Sequence, residues 1–214
     1  MPTAYLTSAY LGPIEYYSKL YHYDRVLIEA FDNYIKQTYR NRMFIEGANG
    51  TQVLSIPTEK DAGKCLTRDI RLSDHGNWRH QHWYAIRSTY NNTPFFEYYE
   101  DDLAPFFEKK HDFLFDFNES LRELICELIG FKPNVDFTSE YLPTEQILQN
   151  GDADFRELIH PKKDYKLLDP EYCDVNYYQL FEQKWGFTPN LSIIDLLFNM
   201  GPESLLVLRD SMIK

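Results

Sequence analysis

Three cations, amide side chains and a phenol fall within seven residues of this 214-residue chain, Lys36-Gln37-Thr38-Tyr39-Arg40-Asn41-Arg42. Arginine presents a planar fork of donors to a carboxylate or phosphate, and lysine adds a mobile point charge, so the stretch suits an anion-binding site. Alternation along a strand would put Lys36, Arg40 and Arg42 on one face with Asn41 opposite. The other reading is an ordinary polar hairpin strand with solvated cations. Arg156, His160, Lys162 and Lys163 form a second basic cluster, as compatible with a solvated loop as with a ligand clamp. His75, His80 and His82 lie close together, but helical pattern there makes His80 and His82 diverge, and no metal site is expected. His75 and His82 fall on one face with Trp78, and His82 is a candidate acid–base group because its ordinary pKa is near neutrality. Asp195 is a weaker catalytic candidate, since Ser192 and Asp195 also read as a helix capping box. The turn Tyr10-Leu11-Gly12-Pro13 lets a phosphate approach at Gly12. No Walker loop, dinucleotide fingerprint or nucleophile elbow is present, so no cofactor is identified.

The elements that must position these residues read as an α/β fold: a single domain over 1–214, with a mixed sheet from the N-terminal third and helices in the middle and C-terminal parts. Ala4 to Tyr10, a helix opening at Pro13, and Arg25 to Phe31 form a strand–helix–strand unit. Its helix N-terminus would lie at the carboxyl end of the first strand, where open α/β sheets bind ligands and the helix dipole favours anions. Tyr39–Glu46 and Thr51–Pro57 flank Gly47-Ala48-Asn49-Gly50 as a hairpin. Lys60 to Lys64 is expected as a solvated loop, and the alternation at Leu66, Ile70 and Leu72 as a half-buried strand. A helix is predicted through Trp78, His82, Ile86 and Thr89, with short helical turns on either side of Pro105. Another, opened by an Asp116–Glu119 capping box, should end at Gly130. Residues 132 to 178 show no clear period. The helix containing Asp195 is expected to pack on the sheet, because Leu196, Leu197 and Phe198 need a buried surface.

A formal charge of −11 argues against general nucleic-acid affinity, which needs a cationic field, while leaving room for a local basic pocket. Three widely spaced cysteines make no disulfide framework, the start Met1-Pro2-Thr3 has no leader character, and no segment has the apolar length of a membrane span. A cytoplasmic location is expected.

The segments Tyr10 to Tyr17, Lys36 to Arg42, Trp78 to Trp83 with Tyr90 and Pro94-Phe95-Phe96, Arg156 to Lys163, Tyr177 to Phe181 and Asn190 to Asn199 resemble the WbqC-like proteins, in order along nearly the whole chain. The closing Asn-Leu-Ser-Ile-Ile-Asp-Leu-Leu-Phe-Asn run is the most specific piece. Tyr39 stands where many members have tryptophan, and Gly12 where a second proline is frequent. The resemblance implies a role in bacterial surface-polysaccharide (O-antigen-type) biosynthesis, with transfer of glycine to a sugar amine the activity usually suggested. The partner expected is an anionic small molecule such as a nucleotide sugar or acyl donor. The alternative is a non-enzymatic protein that binds a nucleotide-linked sugar or another assembly enzyme.

Overall fold

The computed structural model describes residues 2–59 and 65–213, so the loop expected at Lys60 to Lys64 lies outside the described residues. Strand β1 (Ala4–Thr7) leads through helix α1 (Ile14–His22) to β2 (Val26–Glu29), and the two strands pair in parallel from Ala4↔Val26 to Thr7↔Glu29. An antiparallel hairpin follows, β3 (Arg42–Gly47) and β4 (Gly50–Ser55). Helices α2 (Trp78–Tyr90), α3 (Phe96–Glu108) and α4 (Leu114–Ile129) make up the middle. Then come β5 (Val135–Phe137), α5 (Thr144–Gln149), β6 (Ala153–Asp154), α6 (Tyr165–Leu168), α7 (Glu182–Trp185), α8 (Ile193–Met200) and α9 (Ser204–Asp210).

The α/β class is as expected, and both kinds of strand pairing are present, held in two sheets. One is parallel, in the order β5-β2-β1-β6, and the other is the hairpin. The outer strands of the parallel sheet come from the stretch without readable period. They contribute three and two residues, and they flank central strands whose Ala4, Leu6, Val26 and Ile28 are fully buried. A parallel sheet buried on both faces makes continuous apolar strands, as β1 and β2 are. One hydrophobic cluster joins these residues to Met43 and Ile45 of the hairpin and to Ile193, Leu197 and Phe198 of α8.

Four local expectations are corrected. Residues 36–41 form turns, with strand beginning only at Arg42, because the Thr38 hydroxyl donates to the Ile35 carbonyl and accepts from the Arg40 N–H, which tightens the chain there. Leu66 to Leu72 is a 3-10 turn (Thr67–Asp69) and isolated bridges, since the Thr67 N–H is drawn to the Asp32 carbonyl. Helix α3 runs through Pro105 unbroken; the carbonyl that proline leaves without its helical partner belongs to exposed Asp101, where solvent can serve it. Helix α4 starts at Leu114, two residues before the expected capping box, and Glu119 instead pairs with Arg122 at 2.7 Å. Gly130 does end α4, in the left-handed conformation (φ 91°).

Helix α8 packs chiefly among α1, α3, α4 and α9, and its Ile193, Leu197 and Phe198 share one hydrophobic cluster with the strands. Its end is shaped by Gly201. There φ is 53°, and a Cβ would stand 2.5 Å from the Phe95 ring, so glycine alone fits.

Candidate functional site

The parallel sheet ends, on its carboxyl side, in polar residues. Glu29 closes β2, Asp154 closes β6, and Thr138 follows β5. Arg156 ties these ends together. Its Nε and Nη2 donate to the two oxygens of Asp154 (2.9 and 2.7 Å), its Nη1 donates to Glu29 Oε2 (2.6 Å), and Nη2 also reaches the Leu142 carbonyl. Glu29 Oε1 accepts from Thr138 Oγ1 and from the Phe31 N–H. Burial pushes the Asp154 carboxyl up, but the Arg156 and Thr144 hydrogen bonds outweigh it and hold the pKa below the ordinary carboxylate value.

Beside this knot lies a cleft of about 340 Å³, whose walls include Phe31, Asp32, Asn33, Tyr141, Thr144 and Arg156. The Arg156 guanidinium stacks over the Tyr141 ring at 5.0 Å. Asp32 forms a buried ion pair with Arg40. The two basic segments singled out from sequence meet each other near this cleft, which is itself lined by Glu157 and by none of Lys36, Arg42 and Lys162. Lys162 Nζ donates to Gln37 Oε1 at 2.7 Å, and the His160 pKa is depressed by burial and by the charges of Lys163, Lys162 and Arg40. Together, residues 36–42 and 156–163 bring six Lys or Arg and one Glu to one edge of a chain that is strongly acidic overall. Asp32 Oδ1, Arg40 Nε, Asn41 Oδ1 and Arg42 Nε in this segment are among the buried polar atoms without a protein hydrogen-bond partner, which also occur elsewhere in the fold.

Each residue proposed from sequence now has a place. Lys36 is exposed on the turn, Arg40 is buried against Asp32, and Arg42 is half-buried at the start of β3, so no single strand face carries all three. Burial raises the pKa of Tyr34, opposed by the Thr58 hydrogen bond and by the charges of Arg40 and Arg42. Gly12 is buried, with its carbonyl accepting from the Ile193 N–H. The α1 N-terminus that was to attract an anion is occupied by the chain itself. The Ile14 N–H donates to the Leu191 carbonyl, the Glu15 N–H donates to Asn190 Oδ1, and Asn190 Nδ2 returns a bond to Glu15 Oε2. Trp78 is buried too, and its Nε1 donates to the Ser73 carbonyl.

The two catalytic candidates also lie in the interior. His82 sits among Tyr10, Trp78 and Phe117, with Nδ1 2.9 Å from the Tyr10 hydroxyl and the Ser55 carbonyl accepting from the ring. Burial lowers its pKa to about 4, only partly opposed by that carbonyl, so the ring is neutral at pH 7. Asp195 accepts from the hydroxyls of Tyr90 (2.9 Å) and Tyr177 (2.6 Å) and from Gln179 Nε2. It is no helix cap, because the Ser192 hydroxyl donates to the Leu11 carbonyl and the Asp195 carboxylate turns inward. Burial raises its pKa to about 6 against those three hydrogen bonds.

The His82 placement carries an expected result. A folded-state pKa near 4 against an ordinary 6.5 means that the unfolded chain binds the proton more tightly. The stabilisation is fully present above pH 6.5, is lost as pH falls towards 4, and amounts to on the order of 3 kcal/mol. Urea melts of wild type and His82→Gln between pH 4 and 7 should therefore converge on the acid side. Parallel curves would mean that the ring titrates normally in the fold.

Sequence reading missed Glu29, Asp32 and Asp154 as partners of the basic segments. The available signal was position: Glu29 and Asp32 stand at the carboxyl end of the second apolar strand. A second buried constellation was also missed. Lys19 Nζ lies 2.8 Å from Asp169 and 4.4 Å from the Phe155 ring centroid, and Glu15 faces the same carboxylate. Among the described residues, no three His, Cys, Asp or Glu side chains are arranged to hold a metal, and no helix is long and apolar enough to cross a membrane. Another cleft, about 740 Å³, lies between the C-terminal half of α4 and residues 131–135. Glu123, Glu127 and Lys132 line it, and its Arg122 is held by Glu119.

The profile of the WbqC-like protein family matches residues 8–207. An uncharacterized protein of Mycobacterium tuberculosis, Rv1507c, is 27% identical over 218 residues, spanning 94% of this chain and 94% of that protein. No solved structure matches the chain.

Proposed function

The chain belongs to the WbqC-like protein family, and on that premise we propose that it is a cytoplasmic transferase of bacterial surface-polysaccharide biosynthesis. The whole chain acts as one domain and holds an activated, anionic sugar or acyl donor at the carboxyl edge of the parallel sheet, where residues 36–42 and 156–163 meet. The observation that carries this reading is the meeting of the two basic segments at that edge. The carboxyl edge is where open α/β sheets bind their ligands. Arg42, Lys36 and Lys162 hold the anionic group. Arg40 keeps Asp32 in place, and Asp32 replaces His82 as the group able to take a proton. In aminoacyl transfer, the sugar amine attacks the activated carbonyl carbon, the leaving group departs with its electron pair, and Asp32 accepts the proton lost by nitrogen.

A thermal-shift panel of nucleotide sugars, acyl donors and amino acids tests the reading. A ligand at a hundred times its Kd stabilises the fold by about 2.7 kcal/mol, a rise of several degrees for a chain of this size. Arg42→Ala and Lys162→Ala should each weaken binding about fivefold, the scale of a charge-assisted contact at a partly exposed site. A shift unchanged in both variants would remove these cations from the site. The burial of His82 and Asp195 favours a second reading, a protein that binds the same ligand without turning it over. Group transfer by the wild type that Asp32→Asn abolishes without loss of binding separates the two.

A further inference from the structure

A pocket of about 380 Å³ lies at the carboxyl ends of β2 and β5, walled by the rings of Phe31, Phe113, Phe115 and Phe137. Phe137 is 50% exposed and meets Phe115 edge-to-face at 5.3 Å. Asp69 and Asp116 also line the pocket, and both are exposed. Among the described residues Asp116 makes no ion pair, and Asp69 has a loose one with Arg68 at 3.5 Å. The chain already sets cations on two of these rings. The Arg68 guanidinium lies over Phe31 at 4.9 Å, and that of Arg71 lies over Phe113 at 4.8 Å. The Arg68 side chain is itself 50% exposed, so it can leave the pocket for water at little cost.

We infer that this pocket binds the guanidinium group of a small organic cation, with Arg68 as its resident competitor. The face of a phenyl ring is electron-rich and attracts a cation placed over it. A guanidinium is flat and weakly hydrated, so it stacks on such a face while its edge N–H groups reach outward to acceptors. Asp69 and Asp116 are acceptors of that kind, and a carboxylate takes a guanidinium through two parallel hydrogen bonds. One arginine against two carboxylates leaves the pocket negative, which favours a cation and repels phosphate or carboxylate ligands. A neutral aromatic ligand would leave both carboxylates unanswered. The volume is that of a small-molecule site. The inference does not depend on the proposed anion site, and its failure would leave that site untouched.

NMR titration of the full chain with methylguanidinium and with methylurea, which has the same flat shape and no charge, tests the inference. Methylguanidinium should shift the amide signals of Phe31, Phe115 and Phe137 saturably in the millimolar range, and methylurea should bind at least roughly fivefold more weakly. Phe137→Ala and Asp116→Asn should each weaken methylguanidinium about threefold, the scale of a cation–π contact or an ion pair at an exposed site. Arg68→Ala is the most discriminating variant. A competitor's removal clears the Phe31 face and frees Asp69, so binding should tighten, by about threefold. Weaker binding to Arg68→Ala would show that the arginine builds the pocket and would overturn the inference. Equal affinity for the two probes, or no saturable shift at these residues, would overturn it as well. Should Phe137→Ala lower the Tm markedly, Asp116→Asn, at an exposed position, supplies the same comparison, with an unchanged methylguanidinium affinity as the contrary result.

Discussion

Replacing Arg156 by alanine should cost about 4 kcal/mol of unfolding free energy, the range measured when one partner of a buried ion pair is removed. The side chains of Glu29 and Asp154 are 0% and 4% exposed, so both carboxylates would stay in the interior without their cation. The same guanidinium also satisfies the Leu142 carbonyl and joins β6 to β2 across 127 residues of chain. Equilibrium urea unfolding at pH 7 measures the loss. The damage should come from the orphaned charges more than from lost attraction, so Arg156→Met combined with Glu29→Gln should be less destabilised than the sum of the two single changes. A loss under about 1 kcal/mol for Arg156→Ala would place the arginine on a solvated surface and dissolve the described sheet edge. Arg40→Ala is expected to unfold the protein in part for the same reason, since it strands Asp32. This is why Arg42 and Lys162 are the variants for ligand binding.

The second large effect is a dependence of stability on pH centred on Glu15. Burial raises its pKa to about 8, assisted by the Asp169 carboxylate and opposed by the Asn190 hydrogen bond and the Lys19 charge. A carboxyl raised from 4.5 binds its proton more tightly in the fold than in the unfolded chain. Its contribution is present below about pH 4.5 and is lost as pH rises through 8, on the order of 4 kcal/mol in all. Glu15→Gln keeps an acceptor for Asn190 Nδ2 and a donor towards Asp169, yet cannot ionise. The variant should match wild type near pH 4.5 and exceed its stability increasingly towards pH 8. A constant difference across that range in urea melts would show that Glu15 is ionised in the fold.

Much of the framework was legible because it rests on long apolar runs and turn chemistry. The strands at Ala4 and Val26, the hairpin at Gly47 to Gly50, helix α2 and the stop at Gly130 all declare themselves by periodicity or by glycine placement. Strands β5 and β6 did not, since Val-Asp-Phe and Ala-Asp are too short to show a period and owe their conformation to pairing with β2 and β1. The site was half legible. The basic runs at 36–42 and 156–163 stand out by composition, but their meeting depends on β6 docking beside β1, a contact some 150 residues apart in sequence. The acidic partners Asp32, Glu29 and Asp154 were hidden because an isolated carboxylate in a sequence looks the same whether solvated or buried. His82 and Asp195 are the opposite case. Their types suit catalysis, yet each has its polar atoms turned to buried tyrosines, a fact that only packing reveals.

Hydrogen exchange read by mass spectrometry, with and without saturating pyrophosphate, tests the central claim most directly, because it locates the anion on the chain whatever the reaction. Binding at the carboxyl edge of the parallel sheet predicts slowed exchange in residues 31–42 and 156–163, reduced in Arg42→Ala, with no change around the cleft between α4 and residues 131–135. Protection confined to that second cleft, or none in either basic segment at saturation, would contradict it.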